Sequence, residues 1–485
     1  MEKYTKISIS LLIVLSLLSL LTHFQDSTDQ GDYTDIAKYF TGNYAAKVRT
    51  SHSLLYGFIH SPMVKIFQSF TVMKITNIIF LLLIVASIYL LSDKNPKTLL
   101  LATISPIFWY LGPWITPIMP ATLLSLWSIH FLRTLGYEKE SWRNIKNLIY
   151  AGVLSGLAVS LWDGFLPFLV ILIICFFYDQ KINHLTVFIL SILLGMSPLL
   201  ILNQAYYGFA FYSQIKYALT ISVFAVYGGF NGNVAPFFWQ SYLAYILIIP
   251  FTAYLLFKKN YYLQNTKEIN FLALSLLFVL ITNPQIRYLM ILWPLLLIHT
   301  AKNINEVQFK RQIAVFALVS ILISAPYLVQ IGYQTSYSEL TRVLQNNGLT
   351  IGPLNDNLLE NNFIELTKDY PNQTFVVGNA DDDYQQLAHI YWGKDVNEFV
   401  SIQDYNLFMQ NKSTIFEKTF SSNPLFPDRR QIWISGGIRR NLQDATDYGA
   451  IQLGIGVNEP ISLKEFNLTK NYGQFYLSKR VSNQA

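Results

Sequence analysis

Over the first two-thirds of the chain, apolar residues come in long runs. They show neither the strict alternation of a half-buried strand nor the three-to-four spacing of a surface helix. Eleven such runs, long enough to cross a bilayer or nearly so, fall at 7–23, 73–91, 98–112, 115–132, 147–162, 164–179, 184–202, 236–257, 269–283, 286–300 and 312–330. The pattern predicts a multi-pass α-helical membrane protein. The first run lacks a small-x-small site before the polar stretch that follows, so it reads as a span rather than a cleaved signal. Beyond residue 330 the pattern changes. Thr374–Gly378 and Gln431–Ser435 read as short buried strands closed by Gly or Ser, and Asn357–Asp369 as a helix. The expected division is therefore a membrane domain over 1–330, with a first external loop at 24–72, and an α/β domain over 331–485.

Composition agrees. The 485 residues are 52% hydrophobic and 13% charged, about half the charge of an ordinary soluble domain. A soluble globular enzyme and a disordered chain are both excluded. The net charge of +6 is divided, net +10 over 1–330 and net −4 over 331–485. The basic excess sits in short loops between apolar runs, which is a topology signature rather than a nucleic-acid footprint. With the N-terminus inside, alternate loops collect 15 of the 22 basic residues of the membrane half on the cytoplasmic side. Residues 24–72, 203–235 and 331–485 then face outward, so the expected location is a cell membrane with an extracytoplasmic tail. The lone Cys175 lies inside an apolar run and supports neither a disulfide framework nor a cysteine metal site. Asn372, Asn411 and Asn467 begin glycosylation tripeptides on the outer side. No internal repeat is evident.

The outward-facing acids of the membrane half are few. They are Asp26, Asp29, Asp32, Asp35 and Asp163, and four of the five stand within ten residues, just after the first run. If a helix begins there, Asp29 and Asp32 lie one turn apart, and its dipole favours carboxylates in the first turn. The same residues admit two readings: an acidic start to an interfacial helix, or a carboxylate base at the membrane surface. Arg287, between two apolar runs, reads as a snorkelling cation or as a fork for phosphate oxygens. Arg49, His52, His60 and Lys65 share the first external loop, whose stretch 54–70 reads as an interfacial amphipathic helix. The two histidines lack a zinc-ligand pattern and read as polar contacts. Asp163 reads as a turn residue between spans, and Asp381-Asp382-Asp383 as an exposed acidic loop.

Three elements together carry a family resemblance. Asp29-Gln-Gly-Asp32-Tyr33 with Ile36-Ala37 after the first span resembles the first external loop of GT-C-fold glycosyltransferases. Arg287-Tyr288-Leu289 with Trp293-Pro294 is similar to their late "RYL…P" element, and Ala151–Ala158 to their glycine-bearing middle span. The resemblance covers roughly 1–300. It implies an integral membrane transferase that takes a sugar from a polyprenyl- or dolichyl-phosphate donor to a glycan, lipid or protein acceptor. Asp29 is then the general base with Asp32 as the alternative, and Arg287, Arg49 and Lys65 hold the donor phosphate. His52, Tyr33 and Tyr288 are candidate substrate contacts. No metal ligands and no cofactor are expected, although a divalent metal stays open. Two departures stand out: the second external loop, Leu111–Pro120, has no acid, and Trp162-Asp163 occupies the place of a middle-span Arg. A transporter or flippase of lipid-linked glycans, a glycan polymerase or ligase, and an inactive relative are the competing readings. The first predicts repeats and ionisable residues at the midplane.

Overall fold

The computed structural model describes residues 2–21, 29–41, 53–67, 69–112, 114–133, 142–215, 217–218, 259–282, 286–328, 365–366, 368–370, 373–378, 398–402, 405, 451–457, 459–473 and 475–481. Helices occupy the apolar runs among them: α1 (Glu2–Leu21), α4 (Ser69–Leu91), α5 (Pro96–Thr103), α6 (Pro106–Leu111), α7 (Ile118–Arg133), α8 (Trp142–Leu161), α9 (Leu166–Phe177) and α10 (Ile182–Tyr207). A second group comprises α11 (Lys259–Gln264), α12 (Thr266–Thr282), α13 (Trp293–Asn303) and α14 (Glu306–Leu328). The expected run 236–257 and the strand at Gln431–Ser435 lie outside the described residues, as does most of the helix expected at Asn357–Asp369.

Two runs are not single helices. The run 98–112 is broken between α5 and α6 at Ile104-Ser105, because Pro106 disfavours helical backbone at the residue before it and starts a new helix itself. The run 286–300 opens as a 3-10 segment, Ile286–Ile291, before α13 begins at Trp293. Among the described residues, four helices, α1, α4, α8 and α10, are long and apolar enough to cross a membrane. Their outward faces keep large apolar side chains such as Ile13, Leu17, Leu190, Leu194 and Ile201 exposed, which suits lipid rather than water. The chain is a multi-pass helical membrane protein.

The chain separates into two compact units. One holds residues 1–21 and 75–326; the other holds 22–74 and the tail from 343. In the first unit, α8 packs along α10 with backbones almost touching. A Cβ on Gly156 would stand 2.2 Å from the Ile192 carbonyl oxygen, and one on Gly195 would stand 2.2 Å from that of Val153. Only glycine permits that approach. Phe165, Phe168, Leu172, Phe188, Trp293 and Phe316 are among the side chains that fill the core of this unit.

Ion pairs tie the loops of one end together. Lys97 of α5 meets Glu306 of α14 at 2.5 Å, and Lys267 of α12 meets Asp179 after α9 at 2.5 Å. Arg133, at the end of α7, grips Glu268 of α12 through two guanidinium nitrogens, and His299 Nε2 of α13 lies 2.7 Å from the same carboxylate. Tyr4 of α1 packs edge-on against Phe309. Every charge in these pairs belongs to loops that the sequence assigns to one side of the membrane. A charge pair cannot form across a bilayer, so these loops do share a face.

In the second unit, α2 (Asp29–Phe40) packs on α3 (Leu54–Val64), and the tail forms a five-stranded sheet in the order β2-β1-β3-β5-β4. The strands are β1 (Thr374–Gly378), β2 (Glu398–Ser401), β3 (Leu453–Val457), β4 (Phe466–Tyr472) and β5 (Phe475–Arg480). β1 runs parallel to β2 and β3, while β3, β5 and β4 are antiparallel. Val376, Tyr405, Ile451, Ile461 and Phe466 form its core. Asp369 ties to the edge strand through Lys470 at 2.8 Å and the Tyr472 hydroxyl at 2.5 Å, and these two contacts hold its carboxyl below the usual carboxylate range.

Candidate functional site

The acidic stretch after the first span does form a helix. Asp29 is the first residue of α2 and Asp32 stands one turn further on. Behind them the helix is apolar and buried: Tyr33, Ile36, Ala37 and Tyr39 all lie inside. Tyr33 meets Tyr56 of α3 edge-on with ring centroids 5.2 Å apart, and Phe40 meets Phe58 in the same way at 5.2 Å. Between these ring pairs the helices touch at Gly57, where a Cβ would stand 2.2 Å from Ile36 Cγ2 and 2.9 Å from the Ala37 nitrogen. The helix that carries the acids is thus seated on α3 by two aromatic pairs and a glycine.

α3 is itself well anchored. Ser53 caps its start, accepting from the Leu55 amide at 3.2 Å. Its polarity is reversed from that of a soluble surface helix: His60 and Ser61 face inward, whereas Phe58, Ile59, Met63 and, just beyond, Ile66 and Phe67 are exposed. An apolar outer face of this kind suits the bilayer interface that the sequence predicts. Lys65 follows the helix and is exposed. Arg49 and His52 lie outside the described residues.

His60 has a defined state. Its Nδ1 lies 2.6 Å from the Tyr56 carbonyl oxygen. A carbonyl only accepts, so Nδ1 carries the proton and Nε2 keeps its lone pair. The ring packs 4.6 Å from that of Tyr56. Burial, opposed by the bond to Tyr56, holds the imidazole below the usual histidine range. The sequence reads His60 only as a polar contact of the first external loop, because an isolated histidine carries no pattern that reports its burial. Lys74, at the start of α4, is buried as well, at 2% exposed.

The second candidate region, in the other unit, is built from two 3-10 segments. Asp163–Phe165 joins α8 to α9, and Ile286–Ile291 leads into α13. Trp162 stacks on Tyr288 with centroids 5.8 Å apart and an interplanar angle of 16°. The Arg287 guanidinium lies 5.2 Å from the Tyr288 ring centroid, and its Nη2 reaches the Tyr288 hydroxyl at 3.4 Å. Trp293, at the head of α13, donates to the Ser105 hydroxyl in the break between α5 and α6. The Arg-Tyr-Leu element therefore divides its work: Leu289 is buried, Tyr288 touches both Trp162 and Arg287, and Arg287 is held by its neighbour's ring.

Asp163 does occupy a turn, but a buried one, 5% exposed. Desolvation raises the Tyr217 hydroxyl above the usual tyrosine range, and the nearby Tyr288 and Asp163 push it the same way. The arrangement brings Asp163, Tyr217, Trp162, Tyr288 and Arg287 into one neighbourhood. The signal available in the sequence is that Asp163 is the sole acid of the membrane half, beyond the first loop, that the loop pattern assigns to the outside. Among the described residues, no three His, Cys, Asp or Glu side chains gather as metal ligands.

No family model matches the sequence, and no curated protein matches it. A solved structure does match: ArnT from Cupriavidus metallidurans in the apo state, with a TM-score of 0.60 and 10% sequence identity over 99% of this chain and 98% of that one. At so low an identity the likeness is one of fold. The chain is a multi-pass membrane protein that shares the fold of that structure.

Proposed function

We propose that the chain is an integral membrane glycosyltransferase that moves one sugar from a polyprenyl-phosphate donor to a glycan, lipid or protein acceptor outside the cytoplasm. The observation that carries this reading is the likeness to ArnT over nearly the whole of both chains. The position of Asp29 and Asp32 at the head of a helix seated on an interfacial partner supports it.

In the proposed reaction Asp29, or Asp32 in its stead, takes the proton of the acceptor hydroxyl. That oxygen then attacks the anomeric carbon from the face opposite the donor phosphate. The bond from the anomeric carbon to the phosphate oxygen breaks, and the lipid phosphate leaves with its electron pair. A single displacement of this kind inverts the anomeric centre. Arg287 holds the phosphate and stabilises its growing charge, assisted by Arg49 and Lys65. Side-chain cations of this sort make a metal unnecessary.

The test is sugar transfer in membranes holding wild type, Asp29→Asn or Asp32→Asn, supplied with labelled polyprenyl-phosphate sugars and native acceptors, with and without EDTA. Loss of the general base is expected to lower the rate by about 10²- to 10⁴-fold, with protein level unchanged and transfer surviving the chelator. If Asp32→Asn alone abolished transfer, the base would be Asp32. A wild type inactive over a broad panel would favour an inactive relative or a transporter.

A further inference from the structure

The imidazole of His60 is a buried polar group whose state is set on one side and open on the other. Its Nδ1–H is committed to the Tyr56 carbonyl at 2.6 Å. Its Nε2 is fully buried and has no hydrogen-bond partner among the described residues, on a side chain that is 3% exposed overall. Buried polar atoms in folded proteins are nearly always satisfied, and one left unmet is destabilising. The placement gives the exception a direction. His60 touches Tyr56, Tyr56 touches Tyr33, and Tyr33 is the residue after Asp32. A chain of two aromatic contacts thus joins His60 to the acid-bearing helix at the residue after Asp32.

We propose that His60 is a substrate-binding residue whose Nε2 accepts a hydrogen bond from a hydroxyl of the sugar or of the acceptor. This rests on the transferase reading above and deepens it. The neutral imidazole accepts through Nε2 and can take no other role there, since its one proton is held by Tyr56. A hydroxyl is the matching group, because it donates one bond without bringing a charge into a buried place. Burial that disfavours the imidazolium keeps the acceptor available across the neutral range.

Two substitutions separate binding from packing. His60→Phe keeps a ring against Tyr56 and deletes the acceptor. His60→Gln gives up the ring and returns a carbonyl acceptor near the Nε2 position. Full-length protein in nanodiscs would be assayed with the donor varied at saturating acceptor, then the reverse, to learn which substrate supplies the hydroxyl. The expected result is a KM about three- to tenfold higher for one substrate in His60→Phe, with kcat within about twofold and partial recovery in His60→Gln. Unchanged KM in both variants, with thermal stability lower in His60→Gln than in His60→Phe, would assign His60 to packing and overturn the proposal. Should His60→Phe fail to fold, ¹⁵N-histidine spectra of wild type decide the matter. The His60 Nε2 resonance, assigned by its loss in His60→Gln, must move when that substrate is added, and a fixed resonance overturns the proposal. A wild type with no transfer would overturn the transferase reading and His60's part in it, whereas an active wild type with an indifferent His60 overturns only the latter.

Discussion

Arg287, proposed above to hold the donor phosphate, is a residue restrained by the ring next to it. Its guanidinium lies against the Tyr288 ring, which is in turn held by Trp162, so the long side chain has lost much of its freedom before any ligand arrives. A fork so placed presents parallel N–H groups to phosphate oxygens at a smaller entropic cost than a free arginine. Removing it is expected to raise the donor KM more than it lowers kcat. A charged hydrogen bond is worth about 1.5–3 kcal/mol, so Arg287→Met should raise KM for the lipid-phosphate donor by roughly 10- to 100-fold. Arg287→Lys should recover only part, because an ammonium keeps the charge and loses the fork. Kinetics over a donor titration read both, and an unchanged KM would remove Arg287 from phosphate binding.

At the scale of elements, two glycine contacts have different jobs. Gly57 lets α2 sit on α3, while Gly156 and Gly195 let α8 lie along α10. A methyl group at Gly57 must push aside the side chain of Ile36 and the backbone at Ala37. Gly57→Ala is therefore expected to shift α2 and cut transfer by tenfold or more, a loss larger than its drop in thermal stability accounts for. Gly156→Leu drives a larger group into the backbone of α10, and overpacking of that kind is destabilising by about 1–3 kcal/mol. Its expected signature is a lower melting temperature in detergent with proportionate loss of activity. Paired melting and transfer assays check both, and equal effects from the two variants would deny α2 its special place. The Arg133–Glu268–His299 cluster belongs to this scale as well. It joins α7, α12 and α13 through side chains that burial makes expensive to leave unpaired.

For the whole molecule, the ion pairs put the loops at 97, 133, 179, 267 and 306 on one face, and the basic excess predicts that this face is cytoplasmic. Replacing Cys175 with serine and introducing single cysteines at Lys3 or at exposed Leu468 of β4 tests the orientation. A membrane-impermeant maleimide should label the position-468 variant in intact cells, and the position-3 variant only after permeabilisation. The reverse pattern would invert the topology and take the acid-bearing helix away from the proposed acceptor.

Much of this architecture was legible because bilayer insertion is decided by local composition. A run such as 184–202 must be a helix in hydrocarbon, whatever its neighbours, since no water is there to satisfy its backbone. The start of α2 at Asp29 could be anticipated for a similar reason, because helix dipoles and carboxylates meet within one turn. The break at Ser105-Pro106 and the 3-10 lead into α13 are less visible in hydropathy, which averages over the residues that interrupt a helix. Sequence alone thus determined that the chain is a multi-pass membrane protein with a cluster of four acids just after its first span. Tertiary structure decided which polar residues are buried and what holds them: His60 against Tyr56, Asp163 near Tyr217 and Tyr288, and Arg287 on a stacked ring. Those are contacts between residues far apart in the chain or set by the facing of a helix, and a helix's inner face is chosen by its partner rather than by its own sequence.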